Sequence, residues 1–418
     1  MSAPPPDAAV LHIAPDPALA WQDALARVRA ATPMAPFAEP AVGFVTALSQ
    51  ALLADRAMRR MPEVMALAHA LRPAELRRLA GDLAARTGSG RLRHARGLVF
   101  HVAPANVDTL FAWSWLLSLL CGNANVVRLS RRGGPAQAAL LEAAGRLLAE
   151  PGWAALRVRT LVLRYGHDEA VTAALSSACD LRVVWGGDAS IAAVRRVPLP
   201  AGAQELSFPD RVSAALIGAG AVMAADGDAL ARATEGLVTD VVWFDQNACS
   251  SPRLVLWVGA PAEVESARAR FWPLFDRWLA DTGWSLDGAR TQARLAAAAE
   301  LAADGRVRRW TMAADGRIVL RGEAADGAIG LAGHPGLGLL LEGWGASLEE
   351  ACARLPADVQ TLACFGLPSD TVATARAGAR VDRIVPLGRA LAFSTDWDGQ
   401  DLLERLTRIV QLGIATPT

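Results

Sequence analysis

The chain has 418 residues, of which 52% are hydrophobic and 20% charged, so the sequence predicts a folded protein of about two to three domains. The 42 basic and 42 acidic side chains balance, which excludes a strong electrostatic attraction to nucleic acid or to an anionic membrane surface. Every basic residue is arginine. The absence of lysine excludes Schiff-base chemistry, a P-loop lysine and covalent attachment of pyridoxal phosphate.

The five cysteines are odd in number, widely spaced and never part of a C-x-x-C pair, which predicts neither a disulfide framework nor a zinc site. His167 and His334 are isolated, and no cluster of histidines and carboxylates indicates another metal. The first residues lack the basic and apolar regions of a secretory signal, so we expect a cytoplasmic protein. The longest apolar run, Phe111 to Cys121, is too short to cross a bilayer and predicts a buried helix without membrane insertion.

The first part of the chain is predicted to be helical after a loose, Pro- and Ala-rich start over residues 1–20. Apolar residues recur at helical spacing over Trp21 to Ala30, Val42 to Ala54 and Met61 to Arg86. Strands and helices then alternate, with short connections, from Gly97 to Arg196. This alternation is typical of a parallel sheet covered by helices on both faces.

A second α/β series follows the hinge-like segment Pro198 to Gly202. Its predicted strands include Val212 to Ile217 and Arg253 to Val258, and a long helix rich in Trp and Phe follows over Pro261 to Trp284. The last predicted element is a helix from Gln400 to Leu412. The sequence therefore predicts two α/β units behind a helical lead-in.

One polar segment, Phe244 to Pro252, carries a thiol, Cys249, between two apolar runs that we expect to be strands. A cysteine thiol is a strong nucleophile for acyl transfer, and amides beside it can bind the oxyanion that forms on attack. Gln246, Asn247 and nearby backbone N–H groups are such amides. A cysteine between two strands is also often a buried packing residue, so both interpretations stay open.

Three strand-to-helix connections of the first series carry candidate binding residues, because ligands bind at the carboxyl ends of parallel strands. These residues are Asn106 after the strand 97–103, Arg128, Ser130 and Arg131 around the end of the strand 125–129, and Gly186 and Gly187 after the strand 181–185. The asparagine is a site residue or a helix N-cap. The arginines and serine form a phosphate site or a solvated basic turn. The glycines admit a cofactor close to the backbone or form a tight turn.

Six sequence blocks, in order, resemble the aldehyde dehydrogenase superfamily and most closely its LuxC-type acyl-CoA reductases. The blocks are His101 to Val107, Gly122 to Leu129, Trp185 to Asp188, Ser207 to Arg211, Asp245 to Pro252, and Arg383 to Gly388 with Trp397 to Gly399. The resemblance implies an aldehyde-dehydrogenase-like α/β fold. It implies a helical lead-in and Rossmann-like NADP-binding domain over 1–205, a catalytic α/β domain over 206–395, and a C-terminal helix or tail over 396–418 that packs back or oligomerises.

The resemblance also implies catalytic roles. Cys249 matches the nucleophile that takes the acyl group as a thioester, and Asn106 matches the amide that binds the oxyanion together with the Cys249 backbone N–H. Glu205 lies where hydrolytic relatives keep the glutamate that activates water. Leu-Ser-Phe follows it here instead of Leu-Gly-Gly, so a supporting role is implied.

For the cofactor, Arg128 lies where many relatives place a lysine near the adenosine ribose. Ser130 and Arg131 close by suit a 2′-phosphate, so NADPH is expected rather than NADH. Gly186 and Gly187 match the turn that borders the cofactor. The glutamate that relatives use near the nicotinamide ribose has no counterpart in the region 322–345.

The implied reaction is NADPH-dependent reduction of an acyl thioester, acyl-CoA or a carrier-bound acyl group, to an aldehyde through an acyl-cysteine. One alternative is an aldehyde dehydrogenase that oxidises an aldehyde to the acid. Another is a non-catalytic assembly subunit for an acyl-activating partner protein. Relatives usually form homo-oligomers, so we expect one here through the C-terminus and a hairpin over Leu92 to Val102.

Overall fold

The chain forms two compact units in the computed structural model, which describes residues 10–131, 133–312, 320–324, 327, 329–331, 333–376 and 380–413. The first unit comprises residues 10–210 and 393–413, and the second comprises residues 211–392. No helix of the described ranges is long and apolar enough to span a bilayer.

The helices and strands of both units follow in chain order. The first unit contains β1 (Leu11–Ala14), α1 (Trp21–Ala30), α2 (Glu39–Ala54), α3 (Pro62–Ala70), α4 (Pro73–Thr87), β2 (Arg91–Ala95), β3 (Leu98–Val102), α5 (Leu110–Leu120), β4 (Ala124–Leu129), α6 (Pro135–Ala149), α7 (Ala154–Arg157), β5 (Thr160–Arg164), α8 (Glu169–Ala178), β6 (Leu181–Trp185), α9 (Asp188–Arg195) and β7 (Gln204–Phe208). The second unit contains β8 (Val212–Gly218), α10 (Ala219–Ala224), α11 (Gly227–Val242), β9 (Pro252–Val258), α12 (Pro261–Asp281), α13 (Gly288–Ala303), β10 (Val307–Met312), β11 (Leu320–Ala324), β12 (Leu339–Gly345), α14 (Leu348–Ala353), β13 (Asp358–Phe365), α15 (Ser369–Ala375) and β14 (Arg380–Pro386). The chain then returns to the first unit with β15 (Asp396–Trp397), β16 (Gln400–Asp401), α16 (Leu402–Arg405) and β17 (Thr407–Gln411).

The main sheet of the first unit has the strand order β1-β5-β4-β3-β6-β7, and all neighbours except β1 and β5 run parallel. The predicted α/β fold with a helical lead-in is confirmed. Residues 1–20 were predicted to be loose, but Leu11–Ala14 adds an antiparallel edge strand, and residues 1–9 lie outside the described part. The predicted helical stretch from Met61 to Arg86 is two helices, because Pro73 opens α4.

Helix α5 forms the centre of the first unit's core. All eleven of its residues are buried, including Trp113 and Trp115, as the apolar run predicted. The ring of Trp115 contacts Phe44 of α2 edge-on, with centroids 6.2 Å apart. The lead-in helices therefore cover the sheet of the first unit through α5.

The predicted helix from Gln400 to Leu412 is wrong. Only Leu402–Arg405 is helical, and Thr407–Gln411 forms strand β17, which pairs antiparallel with β2. The β-branched residues Thr407, Ile409 and Val410 favour a strand once a partner strand is available. The predicted hairpin over Leu92 to Val102 is also absent from the described structure, since β2 pairs with β17 while β3 belongs to the main sheet.

The sheet of the second unit has the order β10-β11-β12-β9-β8-β13-β14, and only β10 runs antiparallel to its neighbour. Alternate residues of its inner strands face opposite sides. Ala215, Ile217 and Val255 pack with α11 and α12, whereas Ala214 and Leu216 pack with α13 and α14. Helices thus cover both faces, as expected for a parallel sheet.

A buried carboxylate joins helix α11 to the end of the second unit. Asp240 Oδ2 accepts a hydrogen bond from the Gly388 N–H at 2.7 Å, and Oδ1 accepts one from the Ala390 N–H at 3.1 Å. Burial raises the pKa of Asp240 to about 7, although these backbone hydrogen bonds and the charge of Arg383 lower it. The segment after β14 therefore depends on a carboxyl group that titrates near neutrality.

We expect Asp240→Asn to change the pH dependence of stability. A carboxyl whose pKa is raised on folding stabilises the fold most below its unfolded pKa, and this contribution disappears as the pH rises through about 7. Asparagine does not titrate. The Tm of the wild type should therefore fall relative to that of the variant between about pH 5 and about pH 7, as measured by thermal unfolding. A wild-type Tm that stays constant or rises relative to that of the variant contradicts the assignment.

Candidate active site

Cys249 lies in a turn just before strand β9 and is partly exposed, whereas the other four cysteines are buried. Burial raises the pKa of Cys179 and of Cys364 to about 12, and it raises the pKa of Cys121 and of Cys352 as well. A nucleophile must be accessible and readily ionised. Among the five thiols, Cys249 alone is accessible.

The segment before the thiol differs from the predicted strand. Helix α11 ends at Val242, and a short 3₁₀ helix, Trp243–Gln246, follows. Within it Phe244, Asp245 and Gln246 have left-handed backbone conformations, with φ values of 55°, 52° and 59°. Left-handed backbone is unfavourable for residues with a Cβ and persists only where surrounding contacts impose it.

Residues 334–339, which lead into strand β12, supply those contacts. The Leu337 N–H donates to the Asp245 carbonyl at 2.8 Å, and Leu337 is itself left-handed, with φ 58°. A Cβ added at Gly336 would come within 2.7 Å of the Gln246 carbonyl oxygen, so only glycine fits there. We call residues 244–246 and 334–339 together the clasp.

The carboxamide of Gln246 fastens the clasp. This side chain is fully buried, and its Nε2 donates to the carbonyls of Pro252 at 2.7 Å and Leu339 at 3.0 Å. Its Oε1 accepts from the Leu339 N–H at 3.0 Å. The amide therefore ties the segment before the thiol to the first residues of β9 and β12. The prediction that Gln246 could bind an oxyanion is wrong, because both of its polar atoms are already bonded to backbone.

His334 takes part in the clasp, although the sequence pattern left it isolated. Its Nδ1 accepts from the Gly336 N–H at 3.2 Å, so the ring helps to set the turn against Gln246. Burial, together with the charge of Arg253, lowers the pKa of His334 to about 3. The ring is thus neutral at physiological pH. The glycines at positions 336 and 338 were the available sequence signal for such a turn.

The Asp245 side chain attaches the clasp to helix α13 and to the segment between α12 and α13. Its Oδ1 accepts from the indole Nε1 of Trp284 at 2.9 Å, and its Oδ2 pairs with Arg290 of α13. A charge-assisted contact of this kind stabilises more than a neutral one. The left-handed backbone before Cys249 is therefore held from two directions.

Asn106 lies in the first unit, in an exposed bend after strand β3. Helix α5 begins at Leu110 with Thr109 as its N-cap, so Asn106 is not the N-cap that the sequence left open. The next polar residue, Asp108, accepts hydrogen bonds from the Gly134 N–H at 3.1 Å and the Gln137 N–H at 3.4 Å. Asp108 therefore fixes the Asn106 loop against the start of helix α6.

Asp108 also reduces the number of N–H groups that the expected phosphate site at the start of helix α6 can offer. A helix N-terminus attracts anions because its first N–H groups have no intrahelical partner. At α6 the Asp108 carboxylate accepts from two of these groups. Arg128 donates from Nη2 to the carbonyls of Tyr165 and Gly166, and burial lowers the pKa of its guanidinium. Ser130 and Arg131 follow β4, with Arg131 exposed.

The two predicted glycines differ in their surroundings. Gly186 and Gly187 join β6 to α9, and Gly187 is the N-cap without a side-chain bond to the helix. A Cβ at Gly187 would lie 2.6 Å from Asp210 Oδ2, whereas one at Gly186 would meet nothing closer than 3.5 Å. The contact at Gly187 is with the end of the exposed Asp210 side chain, which can move aside, and a Cβ at Gly186 would make only an ordinary contact with Ser190.

A buried polar chain links the ends of strands β3 and β6. Ser114 Oγ lies 2.8 Å from His101 Nδ1 and accepts from the Trp185 indole N–H at 3.1 Å, and His101 Nε2 lies 3.0 Å from Asn125 Oδ1. Burial lowers the pKa of His101 to about 4, so the ring is neutral. The strands that precede Asn106 and Gly186 are therefore fixed to one another.

Glu205 lies near the start of β7, away from the carboxyl ends of the strands. Its Oε2 accepts from Arg182 at 2.6 and 2.8 Å, and its Oε1 accepts from Arg195 at 2.7 Å. Arg182 is 2% exposed, so the carboxylate neutralises a buried charge. These contacts give Glu205 a structural role, and its supporting role in catalysis stays a prediction.

The site residues divide between the two units. Asn106, Arg128, Ser130, Arg131, Gly186 and Gly187 lie in connections or strand ends at the carboxyl edge of the first unit's sheet, and Cys249 belongs to the second unit. Within the described residues, no group of three or more histidines, cysteines and carboxylates could hold a metal ion.

Solved structures with a similar fold are aldehyde dehydrogenases. One from Mycobacterium tuberculosis, complexed with NAD+, is 16% identical to this chain. The match covers 100% of this chain and 97% of that protein, with a TM-score of 0.66. The indole-3-acetaldehyde dehydrogenase of P. syringae, a mutant in complex with NAD+ and IAA, is 16% identical over 93% of this chain and 88% of its own, with a TM-score of 0.64. Methylmalonate-semialdehyde dehydrogenase from Oceanimonas doudoroffii is 14% identical over 95% and 91%, with a TM-score of 0.65.

No curated protein matches the chain in sequence. The profile of the acyl-CoA reductase (LuxC) family does match, over residues 38–269, which is more than half of the chain and includes both Asn106 and Cys249. The chain is therefore an enzyme of the acyl-CoA reductase (LuxC) family.

Proposed function

We propose that the enzyme reduces an acyl thioester to the aldehyde with NADPH, through an acyl group held on Cys249. The main support for this proposal comes from the exposure of that thiol and the backbone conformation before it. Cys249 is partly exposed while every other cysteine is buried, and it follows a strained segment that the clasp holds in place. Strain of this kind clusters at active sites. The donor is acyl-CoA or an acyl group on a carrier protein.

Cys249 acts twice in the proposed cycle. Its thiolate first attacks the thioester carbonyl carbon, the oxyanion collapses, and the donor thiolate leaves, so that the acyl group is now bonded to the Cys249 sulfur. When bound, the nicotinamide cofactor supplies the hydride that reduces this acyl carbon. The resulting thiohemiacetal then breaks its carbon–sulfur bond, which releases the aldehyde and returns the Cys249 thiolate.

Each half of this cycle forms an oxyanion that needs hydrogen-bond donors. We assign this role to the Asn106 carboxamide and the Cys249 backbone N–H. Two features support Asn106: its position after β3, where a parallel sheet binds ligands, and the anchoring of its loop by Asp108. Gln246 is not available for the role because its amide is bonded to backbone.

The first unit has features that fit a nicotinamide cofactor. The neighbouring folds from M. tuberculosis and P. syringae were determined with NAD+. A Cβ at Gly186 would make only an ordinary contact with Ser190, and helix α9 has no side-chain cap, so both features suit close approach of a cofactor. Ser130 and Arg131 after β4 are assigned to the 2′-phosphate, which favours NADPH. Arg128 is assigned a place beside the adenosine ribose, with its Nη2 also holding the loop after β5.

We expect Cys249→Ala to abolish aldehyde formation, because no other thiol of the chain is accessible. Asn106→Ala should slow the reaction roughly 10²- to 10³-fold, since one oxyanion donor is lost. The measurement is NADPH oxidation together with aldehyde yield, over a panel of acyl-CoAs of increasing length. Cys179→Ala, which removes a buried thiol, is the control and should keep wild-type rates. Aldehyde formation by Cys249→Ala at the wild-type rate would falsify the mechanism.

Gln246→Ala should behave differently from Asn106→Ala toward iodoacetamide. Alkylation of a thiol forms no oxyanion, so loss of Asn106 should leave the alkylation rate of Cys249 unchanged. Loss of the buried Gln246 amide removes the fastening of the clasp and should both change the alkylation rate several-fold and lower the Tm. Equal alkylation rates in wild type and Gln246→Ala would show that the clasp does not position the thiol.

Glu205→Gln separates a structural from a catalytic role for this residue. The variant leaves the buried Arg182 guanidinium without a carboxylate, so we expect it to be about 1–3 kcal/mol less stable. Acylation of Cys249, followed by intact mass, should keep its rate at a temperature where the variant is folded. Loss of acylation without loss of stability would instead support a direct part in the chemistry.

A further inference from the structure

Strand β8 is an inner strand of the second unit's sheet, and its pairing with both neighbours loses register beside Ser213. On one side, Val212 pairs with Val359 and Ala214 with Leu362, so that two residues of β13 stand opposite Ser213. On the other side, Ser213 pairs with Pro252 and Ala214 with Leu254, so that β9 also has one extra residue. Bulges are rare between parallel strands and often re-aim groups beside active sites.

At this irregularity Ser213 forms a hydrogen bond with the backbone of Cys249. Its hydroxyl donates to the Cys249 carbonyl at 2.7 Å, and its oxygen accepts from the Thr361 N–H at 3.1 Å. Thr361 is one of the two residues that the bulge in β13 places opposite Ser213. The serine is fully buried, and its bond with the Thr361 N–H is buried as well, so water does not compete for that bond. A continuous hydrogen-bonded chain therefore runs from β13 through β8 to the backbone of Cys249.

This series of hydrogen bonds holds a part of the backbone that the clasp does not hold. The clasp holds the backbone three residues before the thiol, whereas the Ser213 hydroxyl holds the carbonyl of Cys249 itself. Fixing that carbonyl fixes the backbone dihedral ψ of Cys249 and, with it, the direction from which the Cβ and sulfur project. Reaction rates are sensitive to such placement because a reacting atom misplaced by about 1 Å costs up to roughly 10²-fold.

We propose that Ser213 is a positioning residue for Cys249. The double bulge at β8 places the Ser213 hydroxyl within hydrogen-bonding distance of the Cys249 carbonyl. The reaction of Cys249 with an acyl thioester is part of the proposed function, and this inference rests on it. The positioning itself rests on the geometry around Cys249 and can be tested without an acyl substrate.

The test compares Ser213→Ala with a matched control, Ser49→Ala. Ser49 of helix α2 is also fully buried, and its hydroxyl also donates to a backbone carbonyl, that of Ala68, at 2.7 Å. Ser49→Ala loses one buried hydroxyl bond, whereas Ser213→Ala loses the bond to Cys249 and the one from Thr361, so both should lower the Tm and Ser213→Ala by more. Only Ser213→Ala should slow the alkylation of Cys249 by iodoacetamide, by roughly three- to tenfold at fixed pH, as expected for loss of one such bond.

Ser213→Thr keeps a hydroxyl at the same position and serves if the alanine variant does not fold. It should retain at least half of the wild-type alkylation rate. The inference is overturned if Ser213→Ala reacts at the wild-type rate or faster, if Ser49→Ala slows the reaction equally, or if Ser213→Thr is as slow as Ser213→Ala. A wild-type protein that is alkylated at Cys249 but takes no acyl group from any acyl-CoA contradicts the proposed function, and the ratio of alkylation rates still decides the role of Ser213.

Discussion

The buried Gln246 carboxamide is the contact on which the arrangement around the thiol depends. Three left-handed residues in succession are costly. They persist because this side chain bonds to the first residues of two neighbouring strands and because the Leu337 N–H donates to the Asp245 carbonyl. A second left-handed turn, at Gly336 to Gly338, fits against the first. Strain in one segment is therefore offset by hydrogen bonds from the other, and Cys249 is held in a turn that solvent can reach.

Most of the candidate site residues lie at the carboxyl edge of the sheet in the first unit and at the amino edge of the sheet in the second. In the first unit Asn106 and Gly186 follow the carboxyl ends of parallel strands, the usual position for ligand binding. The neutral His101 and Ser114 fix these strand ends to each other. In the second unit Cys249 precedes a strand, at the amino edge of the sheet. A thiol there does not benefit from the usual loop geometry, which explains why its backbone needs the clasp and the double bulge.

The sequence was most informative where periodicity or short apolar runs decide the structure. The alternating series and the buried helix at Leu110–Leu120 could be predicted from local patterns, whereas the local pattern left Cys249 open between a nucleophile and a buried packing residue. The strand at Thr407–Gln411 could not, because its partner β2 lies over 300 residues earlier in the chain. The roles of Gln246 and Ser213 could not either, since both follow from contacts between distant segments and from a register shift that no local pattern encodes.

The proposed reaction begins with transfer of the acyl group to the thiol in this turn. The sharpest test is incubation of the protein with acyl-CoAs from short to long chain, without reduced cofactor, followed by peptide mapping with mass spectrometry. We expect the peptide containing Cys249 to gain the mass of the acyl group and hydroxylamine to remove the adduct, as for a thioester. An adduct on any other residue, or no adduct with any member of the panel, would contradict this expectation.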